Sequence, residues 1–283
     1  ALSLTGLKVG TYTITETGDI AGYDWTYKIN DQAAASPTTT VEVTSTKTAE
    51  TKFDNTYKPH LGTLVVKKEA TGGATVPDET TFTVTYPDGT TTTSFTYSQM
   101  TSGSYTLSNV PLGTYIVEEN DGTGNVDNYT MTVSISNQGE VKLEAKGDEK
   151  TATITNNYTP VGNLEITKAI TGELPNPLTA DQEALLKAIK FTVYRVEGTK
   201  ETKVGDPITY ADILAGQGII QNLPVGTYRV KETSADIPGY TLTVTPSSKE
   251  QEVNVTIGET ATAAFSNDYK HDEFKITIDK TIT

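Results

Sequence analysis

Cysteine is absent from all 283 residues. Disulfides, thiolate metal sites, cysteine nucleophiles and cysteine-derived thioesters go with it. Secreted chains often depend on disulfides, so a cysteine-free extracellular chain needs another staple. Basic residues are the minority, 22 Lys and Arg against 36 Asp and Glu, for a formal net charge of −14. That balance argues against nucleic acid, whose binders carry a basic face, and against anionic membrane surfaces. It favours solubility. Long apolar runs are missing too, and neither a bilayer-spanning stretch nor a signal peptide is visible. Tryptophan occurs once, at Trp25. The chain opens in what reads as mid-domain, so we expect a fragment of a longer protein, with targeting and anchoring signals elsewhere.

What is present is a repeat. Three segments align without gaps: Leu7–Glu16, Val110–Glu119 and Leu223–Glu232, each carrying Gly-Thr-Tyr-x-x-x-Glu or its close variant. Pro and Gly punctuate their starts, and alternation after Tyr predicts a strand. A second motif follows each one, Phe53–Tyr57, Ile154–Tyr158 and Phe265–Tyr269, with a central Asn. A third opens the units: Leu64–Lys68, Leu164–Lys168 and Ile276–Lys280. Short Pro/Gly linkers are expected at Tyr57–Gly62 and Tyr158–Gly162. Residues 1–58 then form a partial domain without its Lys strand, 61–159 and 161–270 form complete domains, and 271–283 form an orphan Lys strand. Further strands are predicted at Thr81–Tyr86 and Phe191–Tyr194. One short helix is predicted over Leu178–Ile189, capped by Thr179 with Gln182 three residues on, and a further helical turn over Tyr210–Leu214. Many short strands between turns indicate an all-β chain of tandem Ig-like or prealbumin-like β-sandwiches.

Side chains alternate faces along a strand, and parity singles out three polar residues per unit. Leu64, Val66 and Lys68 share a face, as do Leu164, Ile166 and Lys168, and Ile276, Ile278 and Lys280. Glu16, Glu119 and Glu232 share theirs with the apolar residues two and four positions earlier. Asn55, Asn156 and Asn267 sit between apolar or aromatic neighbours of the same parity. A lone buried Lys or Glu is expensive, so the three groups are expected to meet. Burial lowers a Lys pKa and raises that of a Glu. A neutral amine is a nucleophile and the Asn amide carbon an electrophile. A Glu between them can polarise the amide and shuttle a proton. Loss of ammonia leaves a Lys–Asn isopeptide bond. The blander alternative is a buried ion pair beside a hydrogen-bonded Asn.

The three motifs together resemble the Cna B-type domains of Gram-positive surface adhesins and pilins, over nearly the whole chain. The resemblance implies spontaneous intramolecular isopeptide bonds, Lys68 to Asn156 assisted by Glu119, and Lys168 to Asn267 assisted by Glu232, in domains that stack into stalks. It implies an extracellular, cell-wall-anchored protein that is not an enzyme beyond this single-turnover crosslinking, with no cofactor and no metal. Its partners would be adjacent domains of the same protein and other subunits of a pilus. A binding module for a host matrix protein or glycan is the alternative, with the insertion 178–189 and the loops 206–221 as the places to look. Ile154 stands where the family has Phe. Neither a Tyr-Pro-Lys pilin motif nor a sorting signal is seen, so shaft and adhesin stalk stay open.

Glu16 and Asn55 lack an in-chain Lys in the expected order. Either their Lys strand lies upstream of Ala1, or Lys280 of a neighbouring molecule completes them. Lys67 and Glu118 should point outward. His60 and His271 read as solvated linker residues, not metal ligands. Gly122–Gly124 reads as a hairpin loop rather than a phosphate cradle, since no helix follows.

Overall fold

The computed structural model describes residues 2–233 and 235–281. The chain divides into two compact units. One holds the residues up to Glu69 with Asp78–Gly124 and Val133–Thr155; the other holds Ala70–Pro77, Asn125–Thr132 and the residues from Asn156 onwards.

The first unit contains the partial repeat. Its strands are β1 (Gly10–Thr15), β2 (Tyr23–Ile29), β3 (Gln32–Ala33), β4 (Thr38–Val43) and β5 (Phe53–Pro59). β1 pairs with β4, and β2 lies between β3 and β5. Not one residue from 2 to 60 is buried. Five short strands in two small sheets do not enclose a core here.

The middle repeat supplies β6 (Leu61–Thr71), β7 (Thr81–Thr85), β8 (Thr92–Thr96), β9 (Ser104–Pro111), β10 (Gly113–Glu119), β11 (Tyr129–Ile135), β12 (Glu140–Leu143) and β13 (Glu149–Gly172). One sheet has the order β12-β10-β7-β8; in the other, β6 lies between β9 and β13, and β11 pairs with β13. Leu64, Val66, Phe82, Val84, Tyr115, Val117 and Ile154 form the core of this sandwich. β10 and β11 belong to different sheets. The turn at Asp121–Gly124 is therefore a crossover between sheets, and the hairpin reading of Gly122–Gly124 is corrected.

The last repeat, in the second unit, supplies α1 (Ala180–Lys187), β14 (Lys190–Glu197), β15 (Lys200–Thr209), α2 (Tyr210–Leu214), β16 (Ile219–Pro224), β17 (Gly226–Thr233), β18 (Tyr240–Thr245), β19 (Glu250–Val255) and β20 (Thr260–His271). One sheet has the order β15-β14-β17-β19; the other runs β18-β20-β13, with β16 also on β13. Leu164, Ile166, Phe191, Val230, Phe265 and Tyr269 lie in its core. Thr179 caps α1, accepting from the Gln182 amide while the Gln182 side chain accepts from the Thr179 amide. The protein is an all-β chain of sandwiches with short helical additions.

Two expectations fail at the boundaries. Tyr158–Gly162 is not a linker between strands, because β13 runs unbroken through it. Pro160 is tolerated there because only its carbonyl is asked for, accepting from the Val225 amide at 3.0 Å. Gly162 is required for close approach, since a Cβ at that position would stand 2.1 Å from the Thr256 carbonyl oxygen. The second failure is the orphan strand. Residues 272–281 form no strand, and Phe274, Ile276 and Ile278 are 84 %, 84 % and 86 % exposed. Strands need a paired edge to satisfy their backbone groups, and among the described residues none pairs with this segment.

The Gly of each Gly-Thr-Tyr explains where the middle strands begin. Gly10, Gly113 and Gly226 have φ of +149°, +137° and +149°, a region that favours glycine. The following Tyr then turns inward, and Tyr12, Tyr115 and Tyr228 each donate to the carbonyl four residues back, at 3.0, 2.6 and 2.7 Å.

Candidate functional site

In the last repeat the site is built from three strands of two facing sheets. β13 and β20 run parallel, with Lys168 opposite Phe265 and Ile170 opposite Asn267. That register places Lys168 and Asn267 on one face of the sheet, two positions apart. Across the sandwich, β14 and β17 are antiparallel with Phe191 opposite Glu232. Arg229 and Lys231 of β17 point the other way, into ion pairs with Glu252 at 2.8 Å and Glu201 at 2.8 Å. Glu232 therefore faces inward because parity puts it there.

Lys168 Nζ donates to Glu232 Oε1 at 2.7 Å, and both side chains have no solvent exposure. Burial pushes the Lys168 amine below its ordinary pKa, and the Glu232 carboxylate beside it opposes that shift. The Phe191 and Phe265 rings, cross-strand neighbours of Glu232 and Lys168, approach to 5.3 Å between centroids. The ion pair thus lies under an aromatic lid. Asn267 is 0 % exposed. Neither its Oδ1 nor its Nδ2, nor Oε2 of Glu232, has a hydrogen-bond partner among the described residues. A buried amide without partners carries its full desolvation cost, about 1–3 kcal/mol. The Tyr269 hydroxyl donates to the Ala235 carbonyl at 2.8 Å. Burial raises its pKa.

The middle repeat has the same ion pair. Lys68 Nζ lies 3.0 Å from Glu119 Oε2, with side-chain exposures of 0 % and 1 %. It also donates to the Glu69 carbonyl at 3.3 Å. Burial again lowers the Lys68 pKa, against the opposing pull of Glu119. Glu119 faces Phe82 across β7. Asn156, in the other compact unit, is fully buried, and its Nδ2 donates to the Tyr158 hydroxyl at 3.2 Å. In that unit the end of β6 runs beside it, with Thr71 Oγ1 donating to Asn157 Oδ1 at 2.8 Å. Burial raises Tyr115 of this core to about 12.

The partial repeat brings Glu16 and Asn55 together without a Lys. Asn55 Nδ2 donates to Glu16 Oε1 at 2.6 Å, and Trp25 Nε1 donates to Asn55 Oδ1 at 2.9 Å. The Trp25 and Tyr57 rings stack at 6.4 Å. Asn55 is nevertheless exposed, because β5 is an edge strand in its sheet. Lys280 is exposed and unstructured.

Outside the site, Lys67 points outward and pairs with Glu69 at 2.7 Å, and Glu118 is exposed. His60 is corrected: it is three-quarters covered, with Nε2 3.1 Å from Asp24 Oδ1. His271 is exposed and packs its ring against Tyr240 at 4.8 Å. Among the described residues no His, Cys, Asp or Glu cluster is placed to hold a metal ion, and no helix is long and apolar enough to cross a membrane. Sequence reasoning missed the Phe191–Phe265 lid and the reason for Gly162. A signal existed for the second, since Gly62 and Gly162 both stand two residues before the Leu of their Lys strands. A Cβ on Gly62 would meet the Asp148 carbonyl oxygen at 2.8 Å.

A family description matches residues 64–159 and again 164–270, that of Domain of unknown function (DUF5979). The chain belongs to this family. No curated protein matches it. Among solved structures it is similar to the Bacillus anthracis TIE protein, with 17 % identity and a TM-score of 0.34, over 91 % of this chain and 51 % of that one. The chain thus spans about half the length of the TIE protein. It is similar also to the minor pilin of Streptococcus agalactiae, with 14 % identity and a TM-score of 0.26, over 77 % of this chain and 100 % of the pilin. A third is the pilus adhesin SpaC of Lactobacillus rhamnosus GG, with 13 % identity and a TM-score of 0.30, over 95 % of this chain and 40 % of the adhesin.

Proposed function

We propose that this chain is a stalk segment of a Gram-positive cell-surface protein, pilin or adhesin, whose middle and last repeats lock themselves with Lys–Asn isopeptide bonds. The observation that carries the reading is the last repeat's site: a Lys168–Glu232 pair with no solvent exposure beside a fully buried Asn267 whose amide has no hydrogen-bond partner among the described residues. An ion pair kept only for stability is a poor use of such a position. A buried amine with a lowered pKa facing an amide is a reactive arrangement.

The chemistry follows from the geometry. The Lys168 proton passes to Glu232 across their 2.7 Å hydrogen bond, which removes both charges from a dry interior. The neutral Nζ attacks Cγ of Asn267. Glu232 gives that proton to the amide nitrogen, which leaves as ammonia, and takes up the second proton that Nζ sheds as the new amide forms. One C–N bond forms and one breaks, so no oxidant or cofactor is needed. Strand pairing supplies the proximity, which offsets about 7–11 kcal/mol of barrier. Lys68, Glu119 and Asn156 take the same roles in the middle repeat. The reaction runs once per site, so the protein turns nothing over. The bond ties the opening strand to the closing strand, which blocks unzipping under tension and does what disulfides do elsewhere. The placement on a bacterial surface rests on the motif resemblance. Intact mass tests the reading, since each bond releases one ammonia, about 17 Da.

One observation favours the second reading, a ligand-binding module. A groove of about 420 Å³ lies at the insertion, lined among others by Leu174, Leu178, Tyr210 and Leu214, and Leu214 is 60 % exposed. Leu214→Asp should abolish binding to immobilised host matrix proteins or glycans if the groove is a binding site, and leave the crosslink mass unchanged.

A further inference from the structure

Two joints carry the chain from one repeat to the next, and they differ by one residue. The run Tyr158–Gly162 holds five residues and the run Tyr57–Gly62 holds six. At the shorter joint Val161 is fastened on both sides. Its amide donates to the Asn128 carbonyl at 2.8 Å, before the joint, and its carbonyl accepts from the Gly258 amide at 2.9 Å, beyond it. At the longer joint the same two attachments fall on successive residues. The His60 amide donates to the Gly22 carbonyl at 2.7 Å, and the Leu61 carbonyl accepts from the Gly147 amide at 2.8 Å. The extra residue puts two more soft dihedrals between the attachments. β13 passes through the Val161 joint unbroken, whereas His60 lies in neither β5 nor β6.

Side chains at the longer joint supply what its backbone gives up. Asp24 stands on β2 of the first repeat, opposite Lys58 of β5. Its Oδ1 lies 3.1 Å from Nε2 of His60, and its Oδ2 accepts from the Lys146 ammonium. Lys146 belongs to the middle repeat, in the turn between β12 and β13. That turn is fixed by Asp148, whose Oδ2 accepts from the Glu144 and Ala145 amides at 2.8 and 3.0 Å. Asp24, His60 and Lys146 all lie in the first compact unit. Among the described residues Lys146–Asp24 is the one ion pair that spans this joint. Lys146 holds the Asp24 carboxyl below the usual carboxylate range, and His60 adds to the effect. At the shorter joint the matching positions carry no charge. Thr130 stands where Asp24 does, one residue after the Tyr that opens its strand. Ile257 stands where Lys146 does, one residue before the Gly that fastens the joint.

We propose that His60 is a hinge between the first and middle repeats, and that Asp24, gripped by His60 and Lys146, is the latch that holds it closed. The inference stands apart from the crosslinking reading, since no residue of the Lys, Glu and Asn sets takes part. With the latch shut, the first repeat is tied to the middle one through β2 as well as through the chain. With it open, the extra dihedrals at His60 are free to turn. Salt governs the choice. The side chains of Asp24 and Lys146 are 44 % and 59 % exposed. The pair is therefore screened as the Debye length falls from about 10 Å at 0.1 M salt to about 3 Å at 1 M. An exposed pair is weak by itself, which suits a latch that opens rather than a permanent bond.

The test uses the full chain, which has no cysteine of its own, with spin labels on Lys28→Cys in β2 and Thr92→Cys in β8. Both positions are exposed. Double electron–electron resonance then reads the distance across the joint. The expected result is one narrow distance peak at about 0.01 M salt, where the Debye length is about 30 Å, and loss of that peak at about 1 M. Asp24→Ala should lose the narrow peak at both salts. His60→Ala and Lys146→Met, each leaving one arm of the latch, should broaden it at low salt. Lys142→Met, which removes an equal charge from β12 away from the joint, should leave it narrow. A second label pair, Lys28→Cys with Thr40→Cys, lies within the first repeat and should stay narrow throughout. If that pair broadens with Asp24→Ala, the first repeat has lost its fold and the hinge is overturned. A peak across the joint that is narrow in every variant and at both salts also overturns the hinge. A distribution already broad at low salt, with no substitution beyond the labels, overturns the latch. Equal broadening by Lys142→Met and Lys146→Met traces the effect to net charge and overturns the latch as well.

Discussion

Asn267→Ala removes the proposed electrophile and little else. The Asn267 amide makes no hydrogen bond with the described residues, and the Lys168–Glu232 pair at 2.7 Å survives the change. The side chain lost is small and its packing is worth about 1 kcal/mol. The bond it would form closes a loop from Lys168 to Asn267 of about 100 residues, and constraining such a loop in the unfolded chain is worth about 4–5 kcal/mol. For a domain of this size each kcal/mol moves the melting temperature by about 4 °C or more, so the last repeat should melt about 20 °C lower. Calorimetry on the full chain should show one transition shifted and the middle repeat unmoved. The decisive control is the same substitution in a Glu232→Gln background, already unable to crosslink, where it should cost only the packing term. An equal cost in both backgrounds would mean that Asn267 acts by packing alone, and the reasoning would fail.

Other consequences are separable. Glu119→Ala and Glu232→Ala should each cut the deficit between intact mass and the variant's own sequence mass by one ammonia, about 17 Da, and the double variant should abolish it; an undiminished deficit in either contradicts the shuttle role. In Asn267→Ala the Lys168 amine stays titratable with a pKa held below 10.5 by burial. The folded state then binds fewer protons than the unfolded one between the lowered value and 10.5. Stability of the variant should therefore rise with pH through that window and fall as pH drops through the lowered value. Urea melts referenced to the crosslinked wild type, whose Lys168 no longer titrates, isolate the effect, and a flat difference would contradict it. Gly162→Ala should destabilise by about 1–3 kcal/mol, since its Cβ must displace the Thr256 carbonyl. Tyr228→Phe removes the 2.7 Å bond to the Pro224 carbonyl and should cost about 1 kcal/mol. Denaturant midpoints check both.

Much of this arrangement was legible because strand parity is a strict rule. Alternation put Lys68, Lys168, Glu119 and Glu232 on inner faces, and their side chains are buried there. The capped helix at Thr179 was a local signal, read from local chemistry. What failed was non-local. Pro160 reads as a breaker, yet it sits within β13 because the strand asks only for its carbonyl. Ile276–Lys280 reads as a strand, yet a strand exists only where an edge receives it. Asn55 has the right parity, but β5 lacks the neighbour that would bury it. The His60–Asp24 contact joins residues 36 positions apart, which no spacing rule reaches.

The most direct test is the intact mass of the purified monomer, measured under denaturing conditions. The expected value is the sequence mass less two ammonias, about 34 Da in all, with branched peptides joining Lys68 to Asn156 and Lys168 to Asn267 after proteolysis. A mass equal to that of the plain sequence would contradict it.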